Sequence, residues 1–107
     1  MSSDGTKAVL DHHGAAVLAG DIDAVMEDYT DESVFISNLG GVLKGVDAIR
    51  SVFEALGEFG GVVESTLHIE GEVAFATWTA DGVSFGSDTF VVRDGKIACQ
   101  TAAIALA

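Results

Sequence analysis

The stretch Ser84–Leu106, SFGSDTFVVRDGKIACQTAAIAL, decides the fold. Two runs rich in β-branched, aromatic and small apolar residues, Ser84 to Arg93 and Lys96 to Leu106, flank Asp94-Gly95. An Asp-Gly pair between such runs predicts a tight hairpin, because these residues tolerate the positive φ that the turn demands. The same signal stands upstream at Asp81-Gly82, so the preceding run, Glu72 to Ala80, joins the meander. Before it, across Gly71, Val63, Leu67 and Ile69 alternate with Glu64, Thr66, His68 and Glu70 from Val62 onward, a period of two.

Upstream of Val62 the period is helical. Lys7 to Ala19 carries Val9, Leu10, Ala16, Val17 and Leu18, and Gly20 stops it. Asp21 is placed to cap a second helix, Ile22 to Tyr29, with Asp23 in its first turn. A short strand, Ser33 to Ser37, leads to a glycine turn at Gly40-Gly41. Asp47 opens a third helix with Ile49, Val52, Phe53 and Leu56 on one side, and Gly57, Gly60 and Gly61 end it. The order helix, helix, strand, helix, then three or four antiparallel strands predicts one α+β domain over residues 1–107. Its helices cover one face of a curved sheet. Many core candidates are Ala or Gly, which leaves two readings open: a cavity between helices and sheet, or close helix packing.

In the last strand Ile97, Cys99, Ala103 and Ala105 fall on one side by strict alternation, and Ala98, Ala102, Ile104 and Leu106 on the other. Both faces are apolar, whereas a sheet wet on one side alternates cleanly. A homodimer formed through the sheet is the expected cover.

Composition narrows the function classes. The 107 residues carry a formal charge of −12, with only five Lys and Arg, so neither nucleic acid nor an anionic membrane surface is an expected partner. No apolar run approaches the ~20 residues of a membrane span. The start, MSSDGTKAVL, lacks the basic and apolar segments of a signal peptide, and a single cysteine, Cys99, allows no intrachain disulfide. A cytoplasmic location is the expectation. No His or Cys pair has metal-ligand spacing, and the glycines sit at turns and helix ends, so neither a metal nor another cofactor is expected. His68, between Glu64 and Glu70, reads as part of a solvated strand face.

Polar residues on apolar faces mark the candidate site. At ~100° per residue His13 falls in the stripe of Val9, Leu10, Ala16 and Val17, while His12 sits at its edge. His13 is either a core histidine bonded to backbone or a polar group projecting into a cavity, where it can act near neutral pH. Asp88 shares parity with Phe90 and Val92. It is either a solvent-reaching or His13-paired aspartate, or a buried carboxyl kept neutral and able to donate to a developing oxyanion. Trp78 shares parity with Ala74 and Ala76, as a cavity wall or as ordinary core. Tyr29 aims its hydroxyl inward or caps the core edge, and Ser37 with Asn38 stands where turn residues are expected.

Three segments, AGDIDAVMEDYTDESVFIS, GVLKGVDAIRSVFEAL and SDTFVVRDGKIACQTAAI, together resemble bacterial nuclear-transport-factor-2-like proteins of the SnoaL-like kind. The resemblance spans nearly the whole chain. It implies a cystatin-like conical roll around a mostly apolar pocket, and isomerase, cyclase or dehydratase chemistry on a small hydrophobic carbonyl compound, or else a ligand-binding or dimerisation module. Compared with ketosteroid isomerases, it implies catalytic roles for His13, at a tyrosine donor's position, and for Asp88, at a protonated aspartate's. Tyr29 matches a supporting tyrosine, and Phe53 replaces another. With Trp78 and Phe90 these are implied pocket residues. Ser37 takes the place of the general-base aspartate, and a serine without an activating partner cannot shuttle a proton between carbons. Ala102 stands near the position of a cyclase acid/base aspartate.

Overall fold

A computed structural model describes residues 2–107, apart from the side chains of Glu58 and Phe59. The first helix, α1 (Ser3–Ala19), starts four residues earlier than the apolar periodicity indicates. Its Ser2 side chain accepts from the Gly5 N–H at 3.1 Å, and Gly20 ends it with φ 69°. Thr6, fully buried, anchors that extra turn by donating to the Gly71 carbonyl across the domain. Asp21 caps α2 (Ile22–Met26) through the Ala24 N–H at 3.1 Å, and this helix stops short of Tyr29.

The chain then forms β1 (Val34–Ser37), β2 (Gly41–Lys44), α3 (Val46–Phe59), β3 (Val63–Glu70), β4 (Val73–Ala80), β5 (Val83–Arg93) and β6 (Lys96–Leu106). The six strands make one sheet in the order β2-β1-β6-β5-β4-β3. It is mixed: β1 runs parallel to β6, and every other pair is antiparallel. The turn expected at Gly40-Gly41 falls on residues 38–40, and Gly41 already pairs with Ser37 as the first residue of β2, a strand that sequence reading passes over because its four residues are too few to show a period. The expected Asp94-Gly95 hairpin turn has both residues at positive φ, 52° and 75°. Phe35, Ile49, Phe53, Phe90, Val92 and Ile97 are the large side chains of the core between helices and sheet.

Two bulges correct the alternation read from sequence. Between β5 and β6 the register passes from Val91↔Cys99 to Val92↔Ile97, leaving Ala98 unpaired. Ile97 is therefore fully buried on the side of Gln100 and Ala102, not on the face of Cys99, Ala103 and Ala105. In β3 the shift falls between Glu64 and Thr66, so Val63 is 59% exposed and leaves the face of Leu67 and Ile69. Among the described residues no helix is long and apolar enough to cross a membrane.

Candidate functional site

A cavity of about 220 Å³ lies between α1, α3 and the inner face of the sheet, with His13, Phe53, Trp78, Asp88 and Phe90 in its wall. A second, of about 340 Å³, reaches toward the β1–β2 turn and contains Ser37, Gln100 and Ala102. Phe53, Leu56, Trp78 and Asp88 line both, so the Asp88 carboxyl stands at their common wall. The small residues of the inner face make this room. Ala76 pairs with Asp88, and Asp88 pairs with Ala102 on its other side, where larger side chains would fill the space.

Asp88 is the electrostatic anomaly. Burial pushes its pKa up to about 7, a rise tempered by the nearby Trp78 N–H and Gln100 amide. The Trp78 N–H is near enough to influence the charge but outside hydrogen-bond geometry, and its Nε1 is buried without a partner among the described residues. Gln100, fully buried, is itself held by Tyr29, whose hydroxyl donates to Oε1. Tyr29 does not line either cavity. It positions Gln100, and burial raises its own pKa well above the ordinary value.

His13 is packed edge-on against aromatic rings, with centroids 5.5 Å from both Phe53 and Phe90 and 6.0 Å from Tyr29. Burial lowers its pKa to about 4, so the ring is neutral at pH 7. Its Nδ1 is buried without a hydrogen bond among the described residues. The carboxylate within reach of that nitrogen is Asp28, at 3.9 Å, and no hydrogen bond joins His13 to Asp88 among the described residues. The expected possibility of a His13–Asp88 pair is thus replaced by two separate polar groups on one apolar wall.

His12, 46% exposed on its side chain, holds both Asp28 oxygens at 2.9 Å through Nδ1. That hydrogen bond raises the His12 pKa. Ser37 Oγ accepts from the Gly40 N–H at 2.9 Å and has no basic partner among the described residues. Ala102 contributes only a methyl group to the second cavity. Among the described residues no group of three or more His, Cys, Asp or Glu is placed to hold a metal.

Two of these residues escaped the sequence reading. Gln100 shares parity with Ala102, Ile104 and Leu106, and the argument that singled out Asp88 would have found it. Asp28 has no such signal, since its burial depends on tertiary packing, including the Ile97 N–H donated to its backbone carbonyl at 2.7 Å.

The fold recurs widely among solved structures. An NTF2-like protein of unknown function from Burkholderia xenovorans superposes with a TM-score of 0.85 at 20% identity, over 100% of this chain and 88% of that one. A proposed ketosteroid isomerase from Kribbella flavida gives 0.80 at 13% identity, covering 97% of this chain and 80% of its own. A proposed polyketide cyclase from Sinorhizobium meliloti gives 0.77 at 19% identity, covering 95% and 99%. At these identities the likeness establishes the fold. Among curated proteins no sequence matches. The profile of the SnoaL-like domain, by contrast, matches residues 9–100. With that match and the roll described above, the chain belongs to the SnoaL-like domain family.

Proposed function

We propose that the protein is an enzyme of isomerase, cyclase or dehydratase type acting on a small hydrophobic carbonyl compound. One observation carries this reading: the Asp88 carboxyl stands in the common wall of two cavities, beside a Trp78 N–H with no partner among the described residues, and its surroundings push its pKa up to about 7. A protonated carboxyl there donates a hydrogen bond to a carbonyl oxygen and strengthens it as charge develops. His13 adds a neutral imidazole to the same wall. A second reading, binding without turnover, is favoured by Ser37, which carries no base to the site.

Fluorescent β-naphthol tests the donor site, because its oxygen mimics an enol. The wild-type protein should bind it, and Asp88→Leu should weaken binding by about tenfold or more, as expected for loss of a buried hydrogen bond. Equal affinity in the two proteins would remove Asp88 from the site.

The outer face of the sheet supports the homodimer. Ile36, Val73, Phe75 and Phe85 are at least 40% exposed there, beside Cys99, Ala103 and Ala105. These apolar side chains, interleaved with the hydroxyls of Ser87, Thr89 and Thr101 and with no charge among them, suit an isologous contact. Light scattering in solution should give twice the 11.0 kDa chain mass, and Phe85→Asp should return a folded monomer. A monomeric wild type would rule this contact out.

A further inference from the structure

The bulge at Ser65 gives the cavity a carboxylate that strand alternation hides. Unbroken alternation would turn Glu64 outward with Thr66 and His68. Instead the register passes from Glu64↔Trp78 to Thr66↔Thr77, and the outward Thr66 and Thr77 hydroxyls meet at 2.7 Å. Trp78 is buried against the cavity, so its cross-strand partner Glu64 faces the same side. Glu64 lines the cavity that contains His13 and Asp88 and remains exposed, which places it at the mouth.

Three carboxylates line this cavity, and their surroundings differ. Asp88 is half-buried in the wall. Asp11 is held by Lys7 at 2.7 Å. Glu64 has no such partner among the described residues, and all five cationic side chains are engaged elsewhere. Lys7 holds Asp11, Lys44 Glu32, Arg50 Asp23, Arg93 Glu72, and Lys96 the Glu27 carbonyl. Two carboxyl groups in one cavity, one set in the apolar wall and one unpaired among the described residues at the mouth, divide acid from base roles.

We infer that Glu64 is the general base that Ser37 cannot be, acting with Asp88 on a neutral β,γ-unsaturated ketone or a similar carbon acid. This rests on the donor role proposed for Asp88. Glu64 takes the proton from the carbon between carbonyl and alkene. The C–H electron pair forms a new C=C bond as the carbonyl π pair moves onto oxygen, which is held by the Asp88 O–H. Glu64 then returns the proton to the γ-carbon, the carbonyl re-forms, and the double bond ends in conjugation. No oxidant, reductant or second substrate is needed. The unpaired charge of Glu64, on a chain of net charge −12, also selects against anionic substrates.

The test uses the full-length protein, with β,γ-cyclohexenone as turnover probe and β-naphthol as binding probe. Glu64→Gln should lower conversion to the conjugated enone by about 10²–10⁴-fold, the usual contribution of a general base. Naphthol affinity and the thermal midpoint should stay at wild-type values, because Glu64 is exposed and makes no side-chain bond among the described residues. Glu64→Asp should recover part of the rate. Wild-type turnover in Glu64→Gln would overturn the assignment. So would a wild-type protein that binds naphthol through Asp88 yet neither isomerises the ketone nor exchanges its α-hydrogens with deuterated solvent, while the donor site itself would stand. Failure of wild type to bind naphthol would remove both readings.

Discussion

Gly86→Ala should lower the thermal midpoint by more than about 10 °C, a large effect for one methyl group on a β-strand. Gly86 pairs directly with Trp78 across β4 and β5. A Cβ built at Gly86 would lie 2.3 Å from Trp78 Cε2, 2.5 Å from Cζ2 and 2.7 Å from Nε1. These atoms belong to one rigid bicycle, so no single torsion relieves the contact and the whole indole must move. Higher strand propensity repays at most about 1 kcal/mol. Overpacking costs about 1–3 kcal/mol, and evicting a buried tryptophan costs more, so the clash prevails. Trp78 is the only tryptophan, and its emission should shift to the red as the ring leaves its 8%-exposed seat. In a Trp78→Ala background the same Gly86→Ala change should cost almost nothing, because the two sites couple through the one contact. A midpoint and emission unchanged by Gly86→Ala would mean that the ring does not lie over Gly86. The consequence for the site is direct: Gly86 is the space that lets Trp78 present Nε1 near Asp88.

What the sequence made legible follows from which signals are local. The shift from helical to alternating period and the two Asp-Gly turns are local, and they fix the helices, the meander and its order. Asp88 was legible because no bulge separates it from Phe90 and Val92 along β5, so parity alone turns it inward. Parity failed where a strand carries an extra residue. A bulge at Ser65 or Ala98 has no side-chain requirement that marks it, yet it reverses every assignment beyond it. Strict alternation therefore puts Glu64 on a solvated face and Ile97 on the face of Cys99, and the bulges reverse both. His13 was legible by helical phase, but its neighbours were not: Asp28 is brought to it by the packing of α1 on the segment after α2. The missing β1–β2 hairpin had a milder cause, since a four-residue edge strand behind a glycine turn carries almost no period.

Replacing Asp88 and replacing His13 should change the pH dependence of stability in opposite directions. Asp88 holds its proton in the folded state up to about pH 7, against an ordinary value of 3.8 for an exposed aspartate. The folded protein thus binds the extra proton between those limits, and this stabilisation is complete below the lower one and lost as pH rises toward 7. His13 behaves inversely. Its folded pKa of about 4 lies below the ordinary histidine value of 6.5, so the unfolded chain binds the extra proton in that window. Stability from the buried neutral ring is present above 6.5 and lost as pH falls toward 4. At about 1.4 kcal/mol per unit, Asp88 contributes roughly 4–5 kcal/mol and His13 roughly 3–4 kcal/mol at full extent, and in wild type the two slopes nearly cancel over their shared range. Asp88→Asn removes one slope and exposes the other: relative to wild type, its urea midpoint should rise as pH goes from about 4.5 to about 6.5. His13→Phe, an aromatic replacement among Phe53, Phe90 and Tyr29, should show a relative midpoint that falls over the same interval. Each change should amount to about 2–3 kcal/mol, and comparison with wild type removes the titration of the other acids. Two variants that both track wild type across this range would show that Asp88 is ionised and His13 titrates freely, and the protonated donor at the cavity wall would be lost with them.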